Sequence, residues 1–228
     1  MWGVRLMNSM KFSKTILFDL DGVILDTESI YLKIMLEYNK KINIPISRDY
    51  YISNFLGKTR NEIDAILKEK FKNKYNSKTY WNELLNNRKK YLSSNQIKIK
   101  PGFTELKDYL INNKYEIGIV TSNSRRLTMQ LLEKAGLNAD EFNVIITRDE
   151  VLNPKPAPDL YLKTVESLKA ENKEFIAIED SNVGIQAAIN AGIPVIHLND
   201  IDEINLDLKR KCVKSISSLI EVINIIRR

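Results

Sequence analysis

The sequence predicts an α/β fold: a doubly wound sheet of parallel strands, with an all-helical segment inserted after the first strand. Three observations predict it. Short apolar runs rich in β-branched or aromatic residues recur along the chain, as strands buried on both faces of a parallel sheet require. Helical patterns lie between them, so each strand is followed by a crossover, and such crossovers are right-handed. Residues 28–98 break this rhythm, with several helical stretches and no clear strand.

Thr15–Leu20 is the first strand, an apolar run that stops on Asp19 and Asp21. The insertion follows as helical stretches over Ser29–Lys41, Arg48–Phe55, Thr59–Lys72 and Lys78–Leu92. Thr59-Arg60-Asn61-Glu62 reads as a capping box ahead of Ile63, Ile66, Leu67 and Phe71. The linkers to the insertion are expected near Asp26–Ser29 and Gln96–Gly102. The sheet then resumes with strands at Glu116–Ser122, Val144–Thr147, Phe175–Asp180 and Val195–Leu198. Between them, Ser124–Ala135 carries Leu127, Leu131 and Leu132 on one face and ends before Gly136. Pro158–Leu168 opens with a proline expected at the first helical position, and Asn182–Ala191 stops at Gly192. These boundaries divide the chain into a core of residues 11–27 and 99–228, a helical cap of residues 28–98 and an N-terminal extension of residues 1–10.

The chain has 228 residues, enough for one large domain or a core domain with a smaller insertion. No run approaches the ~20 apolar residues that span a bilayer, so no membrane partner is expected. Residues 1–7 lack the apolar centre and cleavage site of a signal peptide. Met10 is an alternative initiator. Cys212 is the only cysteine, which excludes an internal disulfide and fits a reducing, cytoplasmic location. The net charge of +6 is unevenly spread: Gly57–Lys100 holds 12 Lys and Arg against 4 Asp and Glu. Lys68, Lys70, Lys72 and Lys74 step around a helix instead of lining one stripe, and no nucleic-acid motif accompanies them. A solvated helical surface is therefore expected, without nucleic acid as a partner, and mild steering of an anionic substrate is compatible with it. The protein is expected to act as a monomer. His197, the only histidine, reads as a satisfied strand residue.

In an open parallel sheet, ligands bind beyond the carboxyl ends of the strands. Asp19 and Asp21 lie at the first such end, on the same side of an extended segment. Two carboxylates so placed repel unless a cation or a shared proton sits between them. Gly22 lets the backbone turn sharply beside them. The other ends supply Thr121-Ser122-Asn123 and Glu179-Asp180, and Asn153-Pro154-Lys155-Pro156-Ala157-Pro158 presents Lys155 on a stiff loop. Singly, each has a bland reading: a chance Asp-x-Asp, a helix cap, a solvated lysine. Together they suit Mg²⁺ and a phosphate ester. Magnesium takes hard oxygen ligands, here Asp19 and Asp180 directly, the main-chain carbonyl of Asp21, and Glu179 through water. Lys155 neutralises a phosphoryl group, and Thr121, Ser122 and Asn123 face its oxygens. Asp19 is then placed to attack phosphorus. Asp21 is placed to protonate the leaving oxygen and afterwards to activate the acceptor.

The segments from Phe18 to Glu28, Thr121-Ser122-Asn123, Lys155–Asp159 and Ile178–Ile185 strongly resemble the haloacid dehalogenase-like superfamily. The nearest branch is that of β-phosphoglucomutases and sugar-phosphate phosphatases with helical caps. The resemblance runs from Lys14 to about Leu198. It implies a Rossmann-like core, Mg²⁺ dependence, and the nucleophile and acid/base roles just given to Asp19 and Asp21. Asp21 speaks against dehalogenation, which does not need it. Gly57-Lys58-Thr59-Arg60 resembles the substrate-facing cap loop, where Arg60 would hold a distal phosphate or hydroxyls. Mutases carry a histidine where Tyr31 stands and a lysine where Leu56 stands, so the expected activity is a phosphatase acting on a small phosphorylated metabolite. A mutase, or a phosphometabolite-binding protein without catalysis, are the alternatives.

Overall fold

The computed structural model describes residues 15–55, 60–169, 175–200 and 204–227. The extension expected over residues 1–10 lies outside them, as do Leu56, Gly57, Lys58 and Thr59. The chain opens with β1 (Thr15–Phe18), followed by α1 (Thr27–Lys41), α2 (Arg48–Asn54), α3 (Arg60–Phe71) and α4 (Ser77–Ser94). Next come α5 (Phe103–Asn112), β2 (Glu116–Val120), α6 (Arg125–Lys134), β3 (Val144–Ile146) and α7 (Asp159–Leu168). It closes with β4 (Phe175–Glu179), α8 (Asn182–Asn190), β5 (Val195–Leu198), α9 (Leu206–Lys211), β6 (Lys214–Ile216) and α10 (Glu221–Ile226).

The described strands form one six-stranded sheet in the order β3-β2-β1-β4-β5-β6, with every pairing parallel. Alternation along the strands divides the core into two layers. Ile16 and Phe18 of β1 share one layer with Ile119 and Ile178, with Phe103 and Leu106 of α5, and with Ile34 and Leu84 of the helices before it. Leu17 points to the other, with Phe175, Ala177, Leu160 of α7 and Ile185 of α8. Helices thus cover both faces of the sheet. No helix among the described residues is long and apolar enough to cross a membrane.

The strand order reverses at β1, which lies between β2 and β4. A crevice at such a switch point opens beyond the carboxyl ends of those strands. β1 stops at Phe18, two residues short of expectation, because Leu20 already accepts turn hydrogen bonds from Ile24 (3.1 Å) and Leu25 (2.9 Å). α1 begins at Thr27, not Ser29. The chain leaves for the helical insertion and returns from it side by side: Asp26 N–H donates to Lys98 (2.9 Å) and Lys100 N–H to Ile24 (2.8 Å). Pro158 precedes the first turn of α7 instead of standing in it. β6, α5, α9 and α10 lie in segments where no element is expected from the sequence.

Candidate active site

β1 and β4 run in register, with Phe18 beside Ile178, so the residues after both strands emerge together. Asp19 N–H donates to Ile178 at 3.1 Å and ties the two ends. One carboxylate oxygen from each of Asp19, Glu179 and Asp180 lies within 4.8 Å of the others. Glu179 is fully buried, and Asp19 and Asp180 nearly so.

Two glycines make room for this cluster. Gly22 has φ +78°, and a Cβ there would stand 1.9 Å from Asp180 Oδ2. A Cβ at Gly184, in the first turn of α8, would stand 1.8 Å from Glu179 Oε2. Neither position tolerates a side chain without moving a carboxylate. The sharp turn expected at Gly22 is present, and its close approach is to Asp180.

Lys155 stands at the centre. Its Nζ donates to Asp19 Oδ1 and Glu179 Oε1, both at 2.6 Å, and to the Val120 carbonyl at 2.8 Å. An ammonium has three donors, so all of them are engaged. Lys155 therefore holds Asp19 and Glu179 in place and opposes their charge. Tyr161 of α7 donates to Glu179 Oε1 at 2.5 Å, and Lys155 Nζ lies 5.4 Å from its ring centroid.

One lysine among these acids leaves an excess of negative charge. Burial pushes the Asp19 carboxyl up to about 8; Lys155 opposes the rise, while Glu179 and Asp21 add to it. Burial holds Asp180 well above the usual carboxylate range, reinforced by Asp19 and Glu179. Lys155 is raised as well: burial disfavours its charge, but Asp19 and Glu179 outweigh burial. A divalent cation would supply the missing positive charge. The residues fit one, because Glu179 Oε2 is buried without a hydrogen-bond partner and the three acids offer hard oxygen donors.

Asp21 stands apart from that cluster of oxygens. Thr27 Oγ1 (2.5 Å) and Tyr31 hydroxyl (3.2 Å) donate to its Oδ1, and Asn123 Nδ2 (2.5 Å) to its Oδ2. Three donors from two segments, α1 and the loop after β2, fix its orientation. Asn123, expected at the phosphate, thus spends its side-chain amide on Asp21. Its main-chain N–H donates to Thr121 Oγ1 at 3.1 Å. Thr121 is buried at the end of β2, whereas Ser122 is exposed and takes no part in these hydrogen bonds. Of the cap-loop residues, only Arg60 is described. It is exposed, with its guanidinium 5.1 Å from the Trp81 ring centroid.

Sequence reasoning did not single out the roles of Thr27, Tyr161 or Arg88. The Arg88 guanidinium lies 4.0 Å over the Tyr31 ring and so backs the hydroxyl that meets Asp21. Thr27 sits in a motif segment, which is a usable signal. Tyr161 and Arg88 meet their partners only through the fold.

Residues 16–198 match the family model of haloacid dehalogenase-like hydrolases. The chain belongs to that family. Among haloacid dehalogenase-like relatives, a phosphorylated carbohydrates phosphatase of Thermotoga maritima is 29% identical over 192 residues, covering 82% of this chain and 88% of its own. A beta-phosphoglucomutase of Bacillus subtilis is 27% identical, covering 79% and 80%. The crystal structure of a conserved haloacid dehalogenase-like protein of unknown function from Agrobacterium tumefaciens superposes with TM-score 0.81 at 23% identity, covering 94% of this chain and 97% of that one.

Proposed function

We propose that this hydrolase is a Mg²⁺-dependent phosphatase that hydrolyses small phosphomonoesters, sugar phosphates among them, through an aspartyl-phosphate on Asp19. The single observation that carries this reading is Lys155 Nζ at 2.6 Å from both Asp19 and Glu179, in a cluster whose third acid is Asp180. The phosphatase relative named for phosphorylated carbohydrates supports it.

In this reading Asp19 and Asp180 would hold Mg²⁺ directly, Asp21 through its main-chain carbonyl and Glu179 through water. The ion would neutralise the phosphoryl oxygens that otherwise repel Asp19. An Asp19 carboxylate oxygen forms a bond to phosphorus while the bond to the ester oxygen breaks. Asp21, held by Thr27, Tyr31 and Asn123, gives that oxygen its proton. Asp21 then takes a proton from water, whose oxygen attacks phosphorus and releases inorganic phosphate. Asp19 is regenerated. Asp19 is kept in place between the chain end of β1 and Lys155, so attack needs little reorganisation. The helices between Thr27 and Ser94 belong to the cap, residues 28–98, which selects the ester and excludes water. The core consists of residues 11–27 and 99–228.

With p-nitrophenyl phosphate and Mg²⁺, Asp19→Asn abolishes phosphate release. Asp21→Asn lowers turnover by ~100-fold or more, in the range of a lost general acid. Retained turnover in Asp19→Asn removes that residue from its role. A mutase is separated by β-glucose 1-phosphate with a trace of bisphosphate: glucose 6-phosphate forming faster than inorganic phosphate would displace the phosphatase reading.

A further inference from the structure

A cavity of about 460 Å³ lies in the seam between α4 and α6, within the size range of small-molecule sites. Its lining has two characters. Leu85, Leu92 and Leu127 give it an apolar side, and Arg88, Lys89 and Arg126 bring three cations to it. No carboxylate lines it, and none of the three cations has a carboxylate partner among the described residues. Arg88 is the more demanding of them. Its Nε and Nη2 are buried without a hydrogen-bond partner. Buried guanidinium donors without an acceptor are costly, and a carboxylate or phosphate matches their fork.

Both walls of the cavity lead to Asp21. Arg88 lies over the Tyr31 ring, whose hydroxyl donates to Asp21. Ser124, also in the lining, follows Asn123, whose amide donates to the other Asp21 oxygen. Asp21 is the group that meets the departing alcohol, so the cavity adjoins the leaving-group side of the site. We infer that it receives the alcohol portion of the substrate, and that this alcohol carries its own acid group on an apolar frame. The inference rests on the phosphatase reading and narrows its substrate class. A short neutral polyol would leave three cations unanswered and three leucines wet. Arg88 and Arg126 bind the remote acid, Lys89 adds to the field, and the leucines cover the frame between acid and ester.

The test uses phosphate esters of straight-chain hydroxy acids of increasing length, each paired with the alkyl phosphate of equal length. At one length the acid ester is expected to exceed its alkyl counterpart by about tenfold or more in kcat/KM, the effect of roughly one charge-assisted contact. Arg126→Ala should remove most of that advantage, and Arg126→Lys should retain part of it. Alkyl esters that match the acid esters at every length overturn the inference, as does an advantage that survives Arg126→Ala. Calorimetric titration of the longer acid esters into Asp19→Asn, against Asp19→Asn with Arg126→Ala, separates the two readings. If the wild-type protein hydrolyses no phosphomonoester, the phosphatase reading falls. The titration still decides the cavity: binding weakened about tenfold by loss of Arg126 upholds the acid subsite, and equal binding in both variants refutes it.

Discussion

Gly184→Ala is a substitution that local rules favour and the site forbids. Gly184 lies inside α8, where alanine is preferred over glycine by about 1 kcal/mol. Its φ is not in the left-handed region, so the backbone has no objection. The obstacle is Glu179. A methyl group at 184 would stand 1.8 Å from Oε2 and 2.3 Å from Cδ. The carboxylate must retreat by more than an ångström, and it has little freedom to do so. It is fully buried and held through Oε1 by Lys155 at 2.6 Å and Tyr161 at 2.5 Å. Each hydrogen bond to a charged partner is worth about 1.5–3 kcal/mol, so losing both and gaining the helical preference leaves a net loss on the order of 2–5 kcal/mol. Urea unfolding measures that loss, and turnover of p-nitrophenyl phosphate at rising Mg²⁺ measures the effect on the cation. The expected variant is less stable, needs more Mg²⁺, and is partly rescued by Glu179→Asp, whose shorter side chain vacates the space. A Gly184→Ala protein as stable as wild type, with an unchanged Mg²⁺ requirement, would refute the packing of Glu179 against residue 184 and with it the placement of the cation.

Two further substitutions probe the charges around it. Lys155→Met leaves Asp19 and Glu179 buried beside each other without their shared cation, and unfolding should show a loss of roughly 3–5 kcal/mol with turnover abolished; wild-type turnover would contradict the contact. His197 is nearly fully buried, and burial, with a smaller push from Lys209, lowers its pKa from 6.5 to about 4. The unfolded chain therefore binds a proton between those values that the folded protein does not. The neutral histidine's contribution is complete above pH ~6.5 and is lost as pH falls toward 4, by on the order of 2–3 kcal/mol. In urea unfolding followed against pH, His197→Gln should lose less stability than wild type across that window. Parallel pH profiles would contradict it.

The core's alternation of strand and helix was legible because a parallel sheet buried on both faces requires continuous apolar runs. β6 was not legible. Lys214-Ser215-Ile216 is a three-residue strand at the sheet edge with one strongly apolar side chain, and its pairing with β5 is decided by the fold. α5 carries a signal, Phe103, Leu106 and Leu110 at helical spacing, but a short one beside the stronger motifs. Asp19, Glu179 and Asp180 could be read because each stands at or just after a strand terminus, where topology alone brings side chains together, and Lys155 because prolines flank it in the loop before α7. The contacts that refine the site could not be read. Asn123 turns its amide to Asp21, Tyr161 reaches Glu179 from α7, and Arg88 reaches Tyr31 from α4. Those partners are far apart in sequence, and no spacing announces them. His197, expected to be satisfied, has a partner only at Nδ1, Ser215 Oγ at 3.0 Å, while Nε2 is buried without one.

The most direct test of the central claim is to trap the covalent step. Borohydride reduces an acyl phosphate to the alcohol, so protein quenched during turnover with p-nitrophenyl phosphate and Mg²⁺ should yield homoserine at position 19 on peptide mass spectrometry. The same treatment without substrate should leave Asp19 intact. Steady phosphate release with no modification at position 19, or with homoserine at Asp21 or Asp180 instead, would contradict nucleophilic attack by the carboxylate that follows β1.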